Sequence, residues 1–419
     1  MKRLLMIAFH FPPLVGSSGI QRTISFARHL PRFGWEPLIL TAHPRAYERV
    51  SDDLLSDLPS DAIVERAFAL DSSRHIAVMG RYPAFAARPD RWVTWWLGAI
   101  PKALRMIRKY RPHAVWSTYP IATAHMIGHT LHRLSGLPWI ADFRDPMAQD
   151  GYPADPKTWQ SFRRIEEGAL RSASFCVFVA PGAARTYRER YPDVPVAHVA
   201  VIENGYDEES FSPIESPDKG PLLPGTFTLI HSGIVYPSER NPTQLFKALR
   251  LMLDEGRLKP GELRLRLRAS AHEDVLSKLI DKFRVAEVVE LCPPIPYRPA
   301  LKEMMRADGL LVLQAANCND QIPAKVYEYL RCRRPIIALT DSAGDTAGLL
   351  RRAGVHSIAQ LESAAAIALE LHRFLAQARR GEAALPDEAF VAQASRLHRA
   401  RELASLLERL ENSGRASGI

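Results

Sequence analysis

The sequence has few cysteines and lacks any long hydrophobic run. Its cysteines, Cys176, Cys292, Cys318 and Cys332, form no Cys-x-x-Cys pair and no Cys/His cluster at zinc-finger spacing. A disulfide-stapled scaffold and a zinc finger are therefore excluded, and a reducing cytoplasm fits this cysteine usage. No segment approaches the roughly 18 uninterrupted apolar residues that span a bilayer, so any membrane contact is expected to be peripheral.

Net charge and composition are those of a globular protein with more than one domain. At roughly 150 residues per domain, a chain of 419 residues predicts two or three domains. Hydrophobic residues make up 47% and charged residues 24%, unlike a disordered or fibrous chain. Lys and Arg outnumber Asp and Glu by 55 to 46, which favours phosphate-bearing partners or an anionic membrane surface. The basic residues are spread out and match no nucleic-acid-binding motif, so no nucleic-acid partner is predicted.

Short apolar runs alternate with amphipathic stretches from one end of the chain to the other. This alternation is typical of buried parallel strands joined by helices. The first apolar run, residues 4–9, is interrupted by His10 and Pro12 and is followed by no cleavage pattern, so a strand is predicted rather than a signal peptide. The predicted fold class is α/β, with two doubly wound, Rossmann-like domains.

The domain boundaries follow from a change of composition after Asn204, where residues 206–225 are rich in Pro, Ser, Asp and Glu. The predicted parts are, in chain order, a first domain over residues 1–203, a linker over 204–225, a second domain over 226–386 and a C-terminal segment over 387–419. The C-terminal segment has the pattern of one long amphipathic helix and is expected to pack toward the first domain. Such sheets bind ligands beyond the carboxyl ends of their strands, so a cleft between two facing domains is predicted.

The first predicted strand leads into a Gly/Ser loop. Gly16, Ser17, Ser18 and Gly19 directly precede a predicted helix. The glycines let backbone N–H groups approach an anion or a sugar at the positive end of that helix. A flexible loop that binds nothing is an equally good interpretation of these residues alone, because the Gly-x-Gly-x-x-Gly pattern of a dinucleotide site is missing.

The most informative segment begins at Asp320. Pro323 suits the first turn of a helix, which leaves the N–H groups of Ala324 and Lys325 available to a pyrophosphate, and Lys325 adds a cation. Glu328, about one turn further, can accept two hydrogen bonds from a ribose diol. Asp320 lies in the preceding loop, where its carboxylate can bind sugar hydroxyls. Taken alone, these residues favour the alternative of a capped surface helix whose charges are solvated.

Four segments occur in the order and at about the spacing of one known family: residues 9–19 with Arg22, residues 139–146, residues 202–207 and residues 323–328. Together they look like glycosyltransferase family 4, which has the GT-B fold. The resemblance covers nearly the whole chain and favours the donor-site interpretation of the last segment. It implies transfer of a sugar from a nucleotide-diphosphate donor with retention of configuration, the donor mostly in the second domain and the acceptor mostly in the first.

The resemblance implies roles for residues of the second domain. The family's donor signature is two glutamates separated by seven residues; Glu328 matches the second, and Asp320, a shorter carboxylate, stands at the first. After the first strand of this domain the family usually places two cations on the pyrophosphate. In the similar stretch, which begins at Gly233, Ile234 stands where the first cation is common and Arg240 lies near the second. Arg240 is therefore expected to neutralise the leaving diphosphate, and an exposed helix-start residue is the alternative.

In the first domain, the resemblance implies that His125 faces the donor sugar, and a packed or surface histidine is the alternative. Asp142 and Arg144 follow a predicted strand at its carboxyl end. Ionisable residues in such a place either form a structural ion network or line the cleft. We expect both to line the acceptor side of the cleft, together with the Gly/Ser loop.

The predicted activity is that of a retaining, metal-independent glycosyltransferase without a cofactor. Its donor is a nucleotide-diphosphate sugar, with a UDP-sugar as first choice on the resemblance alone, and its acceptor is a carbohydrate, a lipid-linked molecule or a small molecule. No Ser/His/Asp or Cys/His arrangement supplies a nucleophile, so retention is attributed to a front-face reaction. Two alternatives stay open: another nucleotide-sugar reaction, such as epimerisation or hydrolysis, and a catalytically weakened binding or scaffold protein.

Trp92, Trp95 and Trp96 precede a helix that carries several Lys and Arg residues. Tryptophans with interleaved cations suit the headgroup region of a membrane. Many proteins of the family that the chain resembles act on lipid-linked acceptors. The alternative is that the aromatic side chains pack against the first domain while the cations are solvated. The predicted location is the cytoplasm, at the inner face of the membrane if this contact exists.

Overall fold

The computed structural model describes the chain apart from residues 16–17, 52–53, 56, 60, 78, 80–81, 213–219 and 417–419. The chain divides into two compact units. One comprises Met1–Asn204 together with Arg396–Ile419, and the other comprises Gly205–Ser395. Each contains one parallel sheet with helices between its strands. The predicted fold class, α/β with two Rossmann-like halves, is confirmed.

The first unit is built on a sheet of parallel strands. In chain order, these strands are β1 (Lys2–Ile7), β2 (Trp35–Ala42), β3 (Ile63–Ala67), β4 (Ala114–Thr118), β5 (Trp139–Arg144), β6 (Phe175–Phe178) and β7 (Val199–Val201). Their order across the sheet is β3-β2-β1-β4-β5-β6-β7. Successive strands are therefore added toward one edge of the sheet up to β3 and toward the other edge from β4 onward. Ligands of such sheets bind beyond the carboxyl ends of the strands at this switch point, between β1 and β4.

Helices connect the strands of the first unit and bury its sheet. In chain order, they are α1 (Ser18–His29), α2 (Ser72–His75), α3 (Thr94–Tyr110), α4 (Ala122–Ser135), α5 (Pro156–Ser172) and α6 (Pro181–Arg190). Residues 4–7 of β1 and all residues of β4 are buried, because both faces of the sheet are covered. Phe26 of α1 meets Trp116 of β4 edge to face, with ring centroids 5.8 Å apart, which fixes this helix on the sheet.

The second unit repeats the same plan with a smaller sheet. Its strands are β8 (Phe227–Ser232), β9 (Leu263–Arg268), β10 (Val289–Cys292), β11 (Gly309–Leu313), β12 (Ile336–Leu339) and β13 (Ile358–Ala359). They lie in the order β10-β9-β8-β11-β12-β13, and all neighbours are parallel. The switch point lies between β8 and β11, so the carboxyl ends of these two strands mark the expected ligand position.

The helices of the second unit include one inside the predicted linker. In chain order, they are α7 (Glu208–Phe211), α8 (Thr243–Asp254), α9 (Glu273–Phe283), α10 (Tyr297–Arg306), α11 (Lys325–Cys332), α12 (Asp345–Arg352), α13 (Ala364–Arg379) and α14 (Glu388–Gln393). The Asp207 side chain caps α7 by accepting from the N–H of Glu209, and Phe211 is fully buried. The described part of the linker region is therefore packed, not extended.

The C-terminal segment is not the single long helix that its sequence pattern predicts. α14 ends before Ala394, and a separate helix, α15 (Arg396–Ala416), follows. Between them, the carbonyl of Ala394 accepts a hydrogen bond from the N–H of Tyr206, and Ser395 pairs with Tyr206 as an isolated β-bridge. This pairing with a distant segment diverts a backbone carbonyl from the helix and breaks it. Leu403 and Leu407 of α15 lie in the apolar core of the first unit.

Candidate active site

The turn after β8 depends on a glycine. Gly233 has a φ of +115°, which residues with a side chain rarely adopt. Its N–H donates to the carbonyl of Arg268 over 2.8 Å, which joins the turn to β9. A Cβ atom added at Gly233 would lie 2.9 Å from Nζ of Lys325. The backbone and the close approach of the lysine both require glycine here, and two predicted donor-site residues lie together.

Lys325, the first residue of α11, is held by a buried histidine of β8. Its Nζ lies 3.1 Å from Nε2 of His231, and Nδ1 of the same ring lies 3.0 Å from the carbonyl oxygen of Leu311. Because a carbonyl only accepts, Nδ1 carries the proton and Nε2 accepts from the ammonium group. Burial and the Lys325 charge hold the pKa of His231 well below its ordinary value, so the ring is neutral. Sequence reasoning missed His231, whose one signal is a histidine inside a buried strand.

The same turn carries a second predicted cation. Nη1 of Arg240 donates to the carbonyl of Ile234 over 2.7 Å, and its guanidinium group lies 5.2 Å from the centre of the Tyr236 ring. Burial and the positive charge of Arg240 lower the pKa of Lys325 to about 7, whereas Glu328 raises it. The turn after β8 is therefore electropositive and brings the two predicted phosphate-binding cations together.

The start of α11 presents the predicted backbone donors. The N–H of Val326 bonds to the carbonyl of Pro323 over 2.9 Å, so the helical turn begins at this proline. In the described part of the chain, the N–H groups of Ala324 and Lys325 have no hydrogen-bond acceptor. Glu328 is partly buried, and its Oε1 accepts from the hydroxyl of Tyr297 over 2.7 Å. Lys325 and Glu328 are three residues apart and share one face of α11.

The loop that carries Asp320 is held by hydrogen bonds from a buried glutamine. Nε2 of Gln314, at the end of β11, donates to the carbonyls of Cys318 and Gln321 over 2.8 and 3.0 Å. Gln314 is almost completely buried. Asp320, which lies between Cys318 and Gln321 in the sequence, is partly exposed. Sequence reasoning missed Gln314, although a glutamine directly after an apolar strand is a signal for such a loop contact. The Asp320 side chain is shorter than the glutamate of the family signature, and its contact with the donor sugar stays a prediction.

Asp142 does not line a cleft, contrary to the expectation for it. Its carboxylate is fully buried and accepts from Arg22 through Nη2 at 2.8 Å and Nε at 3.1 Å, and from the Thr118 hydroxyl at 2.8 Å. Arg22 also donates to the carbonyls of Ile202 and Glu203. Two charges that are removed from water need such mutual neutralisation, so the structural ion network is the correct alternative for Asp142.

Arg144 lies beside His10 in a distorted part of the first sheet. The register of β5 and β6 shifts between Asp142 and Arg144, and Arg144 has a φ of +59°. Nη1 of Arg144 lies 3.4 Å from the carbonyl oxygen of Tyr119. Burial and the Arg144 charge lower the pKa of His10 to about 4. A residue held in this backbone conformation is a candidate for function, so Arg144 stays a predicted acceptor-side residue, and His10 joins it.

His125 lies in the interior of the first unit. Its side chain has no solvent exposure, and its ring centroid lies 4.8 Å from that of Phe143. Ser117 Oγ accepts from the indole N–H of Trp139 and lies 2.8 Å from Nδ1 of His125. Burial lowers the pKa of His125 to about 4, so the ring is neutral. This geometry is that of the packed-histidine alternative, and contact with the donor sugar stays a prediction.

The predicted Gly/Ser loop is only partly described. Gly16 and Ser17 lie outside the described residues, and Ser18 and Gly19 form the first turn of α1. The loop lies in the chain between β1 and the first turn of α1. Its role as an anion or sugar site stays a prediction. Among the described residues, no three His, Cys, Asp or Glu side chains are grouped so that they could hold a metal ion.

The tryptophans just before α3 and in its first turn are packed. Trp95 has no solvent exposure, the indole N–H of Trp96 donates to the Thr130 hydroxyl over 3.0 Å, and that of Trp92 donates to the carbonyl of Ala46 over 3.1 Å. The packing alternative is therefore correct for these side chains. No helix in the described part of the chain is long and apolar enough to cross a membrane.

Residues 18–205 match the profile of one protein family, which is described as a glycosyl transferase 4-like domain. This part of the chain is similar to glycosyl transferase 4-like domains. It extends from α1 to the end of the first unit's sheet, and the match confirms the resemblance to glycosyltransferase family 4. No curated protein sequence matches the chain.

Solved structures extend the likeness to the whole chain. HepE from Anabaena, in complex with UDP-glucose, is 14% identical, with a TM-score of 0.63 and coverage of 98% of this chain and 100% of that one. Trehalose 6-phosphate synthase from Burkholderia multivorans is 13% identical, with a TM-score of 0.64 and coverage of 100% and 99%. A protein of Listeria monocytogenes assigned as a UDP-N-acetylglucosamine 2-epimerase is 12% identical, with a TM-score of 0.60 and coverage of 98% of both chains. At these identities the likeness describes the fold alone, which is GT-B.

Proposed function

We propose that this protein is a retaining glycosyltransferase that takes its sugar from a nucleotide-diphosphate donor. The observation that carries this proposal is the electropositive turn after β8, where Lys325 and Arg240 meet beside Gly233 at the start of α11. Unpaired N–H groups of a helix start and adjacent cations form a site for phosphate groups. The likeness of the same chain to glycosyl transferase 4-like domains supports a sugar nucleotide as the molecule that carries the phosphates.

The donor occupies the second unit along one face of α11 in this proposal. Its diphosphate accepts from the N–H groups of Ala324 and Lys325, and its ribose hydroxyls donate to Glu328, one helical turn away, in place of Tyr297. Asp320 binds hydroxyls of the transferred sugar. The base and the sugar are not set by these contacts, and a UDP-sugar is the first choice because HepE, which shares the fold, contains UDP-glucose.

Transfer proceeds on one face of the sugar. The bond between the anomeric carbon and the diphosphate breaks while the acceptor oxygen forms its bond from the same side, and a β-phosphate oxygen takes the acceptor proton. Negative charge increases on the departing diphosphate in the transition state. Lys325 and Arg240 stabilise that charge, and this is the contribution that a metal ion makes in other glycosyltransferase folds.

The proposal is tested with a thermal-shift screen of UDP-, GDP- and ADP-sugars, followed by an assay of the products. A donor at about 100 times its Kd adds about 2.7 kcal/mol of apparent stability, so one base is expected to raise the Tm clearly above the others. The product anomer, read by NMR, is expected to keep the donor configuration. An inverted product would exclude the front-face reaction.

The two alternatives give different results in the same experiments. An epimerase or hydrolase would convert the sugar nucleotide without any acceptor. A scaffold that has lost its site would show neither a thermal shift nor heat of binding with nucleoside diphosphates. The shared fold of the Listeria monocytogenes protein is the reason to run the control without acceptor.

Peripheral membrane contact is proposed for the outer face of α3 alone. Leu97 is exposed there, and Arg105, Arg108 and Lys109 follow on the exposed side toward the end of the helix. Each such cation contributes about 1 kcal/mol near an anionic lipid surface. Wild type is expected to float with phosphatidylserine vesicles, and a Leu97→Glu, Arg105→Glu variant is expected to remain in the bottom fraction of the gradient. Equal recovery of both proteins would exclude this contact.

A further inference from the structure

Two exposed arginines beyond β2 and β3 are held by backbone carbonyls. Nε of Arg45, which follows β2, lies 3.3 Å from the carbonyl oxygen of Ala69, and its guanidinium group lies 4.4 Å from the centre of the Phe68 ring. Nη1 of Arg74, in α2, donates to the carbonyl of Tyr47. A guanidinium group has five N–H donors, so these contacts fix its direction and leave most of its donors for a ligand.

A third arginine, Arg66 of β3, connects this region to the loop after β1. Its Nη2 donates to the carbonyl of Pro12 over 2.7 Å, and its Nη1 is buried without a hydrogen-bond partner in the described part of the chain. Burial raises the pKa of the Tyr47 hydroxyl to about 12, and the nearby charge of Arg66 acts in the opposite direction. We call Arg45, Arg66 and Arg74 the arginine cluster, because Tyr47 or its neighbours contact each of them.

The carboxylates of the same segments are paired with other cations. Glu48 forms an ion pair with Arg91, and Nε of Arg91 lies 3.6 Å from Oδ2 of Asp71. Glu65 binds Lys102 over 2.9 Å. In the described part of the chain, no carboxylate pairs with any member of the arginine cluster. The edge of the first sheet beyond β2 and β3 therefore carries an excess of positive charge, which attracts anions.

The segment after β2 runs along the loop between β1 and α1. The N–H of Ser51 donates to the carbonyl of Pro13 over 2.8 Å, and the N–H of Val15 donates to the carbonyl of Arg49 over 3.3 Å. This loop continues in the sequence into the Gly/Ser loop, which is predicted to lie on the acceptor side. Ligands of parallel sheets bind beyond the carboxyl ends of the strands, where the arginine cluster also lies.

We propose that the acceptor of the transfer reaction carries a phosphate group and that the arginine cluster binds it. This inference rests on the proposed function and adds to it the chemical class of the acceptor. A phosphate monoester carries about −1.5 to −2 charges at pH 7 and three acceptor oxygens, so it can engage several guanidinium groups at once. A carboxylate has a single charge, which one guanidinium group neutralises. The phosphate belongs either to a soluble sugar phosphate or to a lipid-linked sugar.

Inorganic pyrophosphate tests the arginine cluster without knowledge of the acceptor. The full-length protein is first saturated with UDP, GDP or ADP, whichever binds most tightly by calorimetry, so that the donor site is filled. Pyrophosphate is then expected to bind with a Kd between about 10 μM and 1 mM. Arg45→Gln with Arg74→Gln should weaken this binding by about 10- to 100-fold. Arg164, which is exposed on α5 of the same unit, provides the control Arg164→Gln, which should bind like wild type.

Transfer assays distinguish the two sources of the phosphate. Glucose 6-phosphate and a lipid-linked sugar phosphate in detergent are compared with the neutral methyl glucoside. The Arg45→Gln, Arg74→Gln variant is expected to raise the KM for the phosphate-bearing acceptor by about 10- to 100-fold and to leave the KM for the donor unchanged. Arg45→Lys with Arg74→Lys keeps the charges and should recover part of this loss.

Pyrophosphate binding that is absent up to about 10 mM, or that is equal in wild type and the double glutamine variant, would overturn this inference. Transfer to methyl glucoside with the KM of the phosphate-bearing acceptors would overturn it as well. No heat with any of the three nucleotides would overturn the proposed function instead, and pyrophosphate titration of the free protein and its variants would still decide on the arginine cluster. Circular dichroism and the Tm confirm that each variant is folded.

Discussion

Replacing Glu328 with alanine is expected to lower kcat/KM for the sugar nucleotide by about 100-fold while the protein stays folded. The carboxylate is partly exposed, and its Oε1 lies 2.7 Å from the Tyr297 hydroxyl, so the group is accessible and already accepts from a hydroxyl. In the proposed complex it accepts from both hydroxyls of the ribose. Two hydrogen bonds to a charged group contribute about 3 kcal/mol, which corresponds to about two powers of ten in rate.

A donor that lacks the 2′-hydroxyl makes the Glu328 experiment specific. Wild type should prefer the ribose donor to the 2′-deoxyribose donor by about tenfold or more, and Glu328→Ala should lose this preference because the partner of the hydroxyl is gone. Glu287, exposed in the second unit, gives the matched control Glu287→Ala, which should keep both the rate and the preference. Unchanged discrimination in Glu328→Ala would mean that this carboxylate does not contact the ribose.

The start of α11 and the turn after β8 were predictable from the sequence because their chemistry is local. Pro323 fits the first turn of a helix wherever that helix packs, and the chain indeed begins its helical turn there. Gly233 follows a buried strand and allows the positive φ that the turn needs. Such features depend on neighbouring residues alone, so they do not require knowledge of the fold.

The partners of the buried ionisable groups were not predictable, because they come from distant parts of the chain. Lys325 and His231 are 94 residues apart, and Arg22 and Asp142 are 120 residues apart. The sequence of a strand that ends in Asp142 and Arg144 is the same whether these charged side chains face solvent or pair with distant residues. Only the packing of α1 against the sheet brings Arg22 to Asp142 and turns an expected cleft residue into a core residue.

The break between α14 and α15 has the same origin. The amphipathic pattern continues through Ala394 and Ser395, so periodicity predicts one helix. Tyr206, almost two hundred residues earlier, takes the hydrogen bond of the Ala394 carbonyl and pairs with Ser395. Helical periodicity describes which face is buried, but it carries no information about a competing backbone partner.

Asp142→Ala is expected to destabilise the first unit by about 3–5 kcal/mol, which is the usual cost of leaving one charge of a buried pair behind. Arg22 is 7% exposed, so its guanidinium group cannot reach water when the carboxylate is removed. All seven tryptophans lie between Trp35 and Trp159, within the first unit. Tryptophan fluorescence during urea unfolding therefore reports on this unit without interference from the other.

Two further variants separate charge burial from the loss of a contact. Asp193→Ala removes an ion pair with Arg171 in which both side chains are more than half exposed, and it should cost less than about 1 kcal/mol. Replacing both charges of the buried pair, in Arg22→Met with Asp142→Leu, should be less destabilising than Asp142→Ala alone, because no charge is left buried. The recovery should be incomplete, since Arg22 also donates to two backbone carbonyls. If the double variant were less stable than Asp142→Ala, the hydrogen bonds of Arg22 would stabilise this network by more than the burial of an unpaired charge destabilises it.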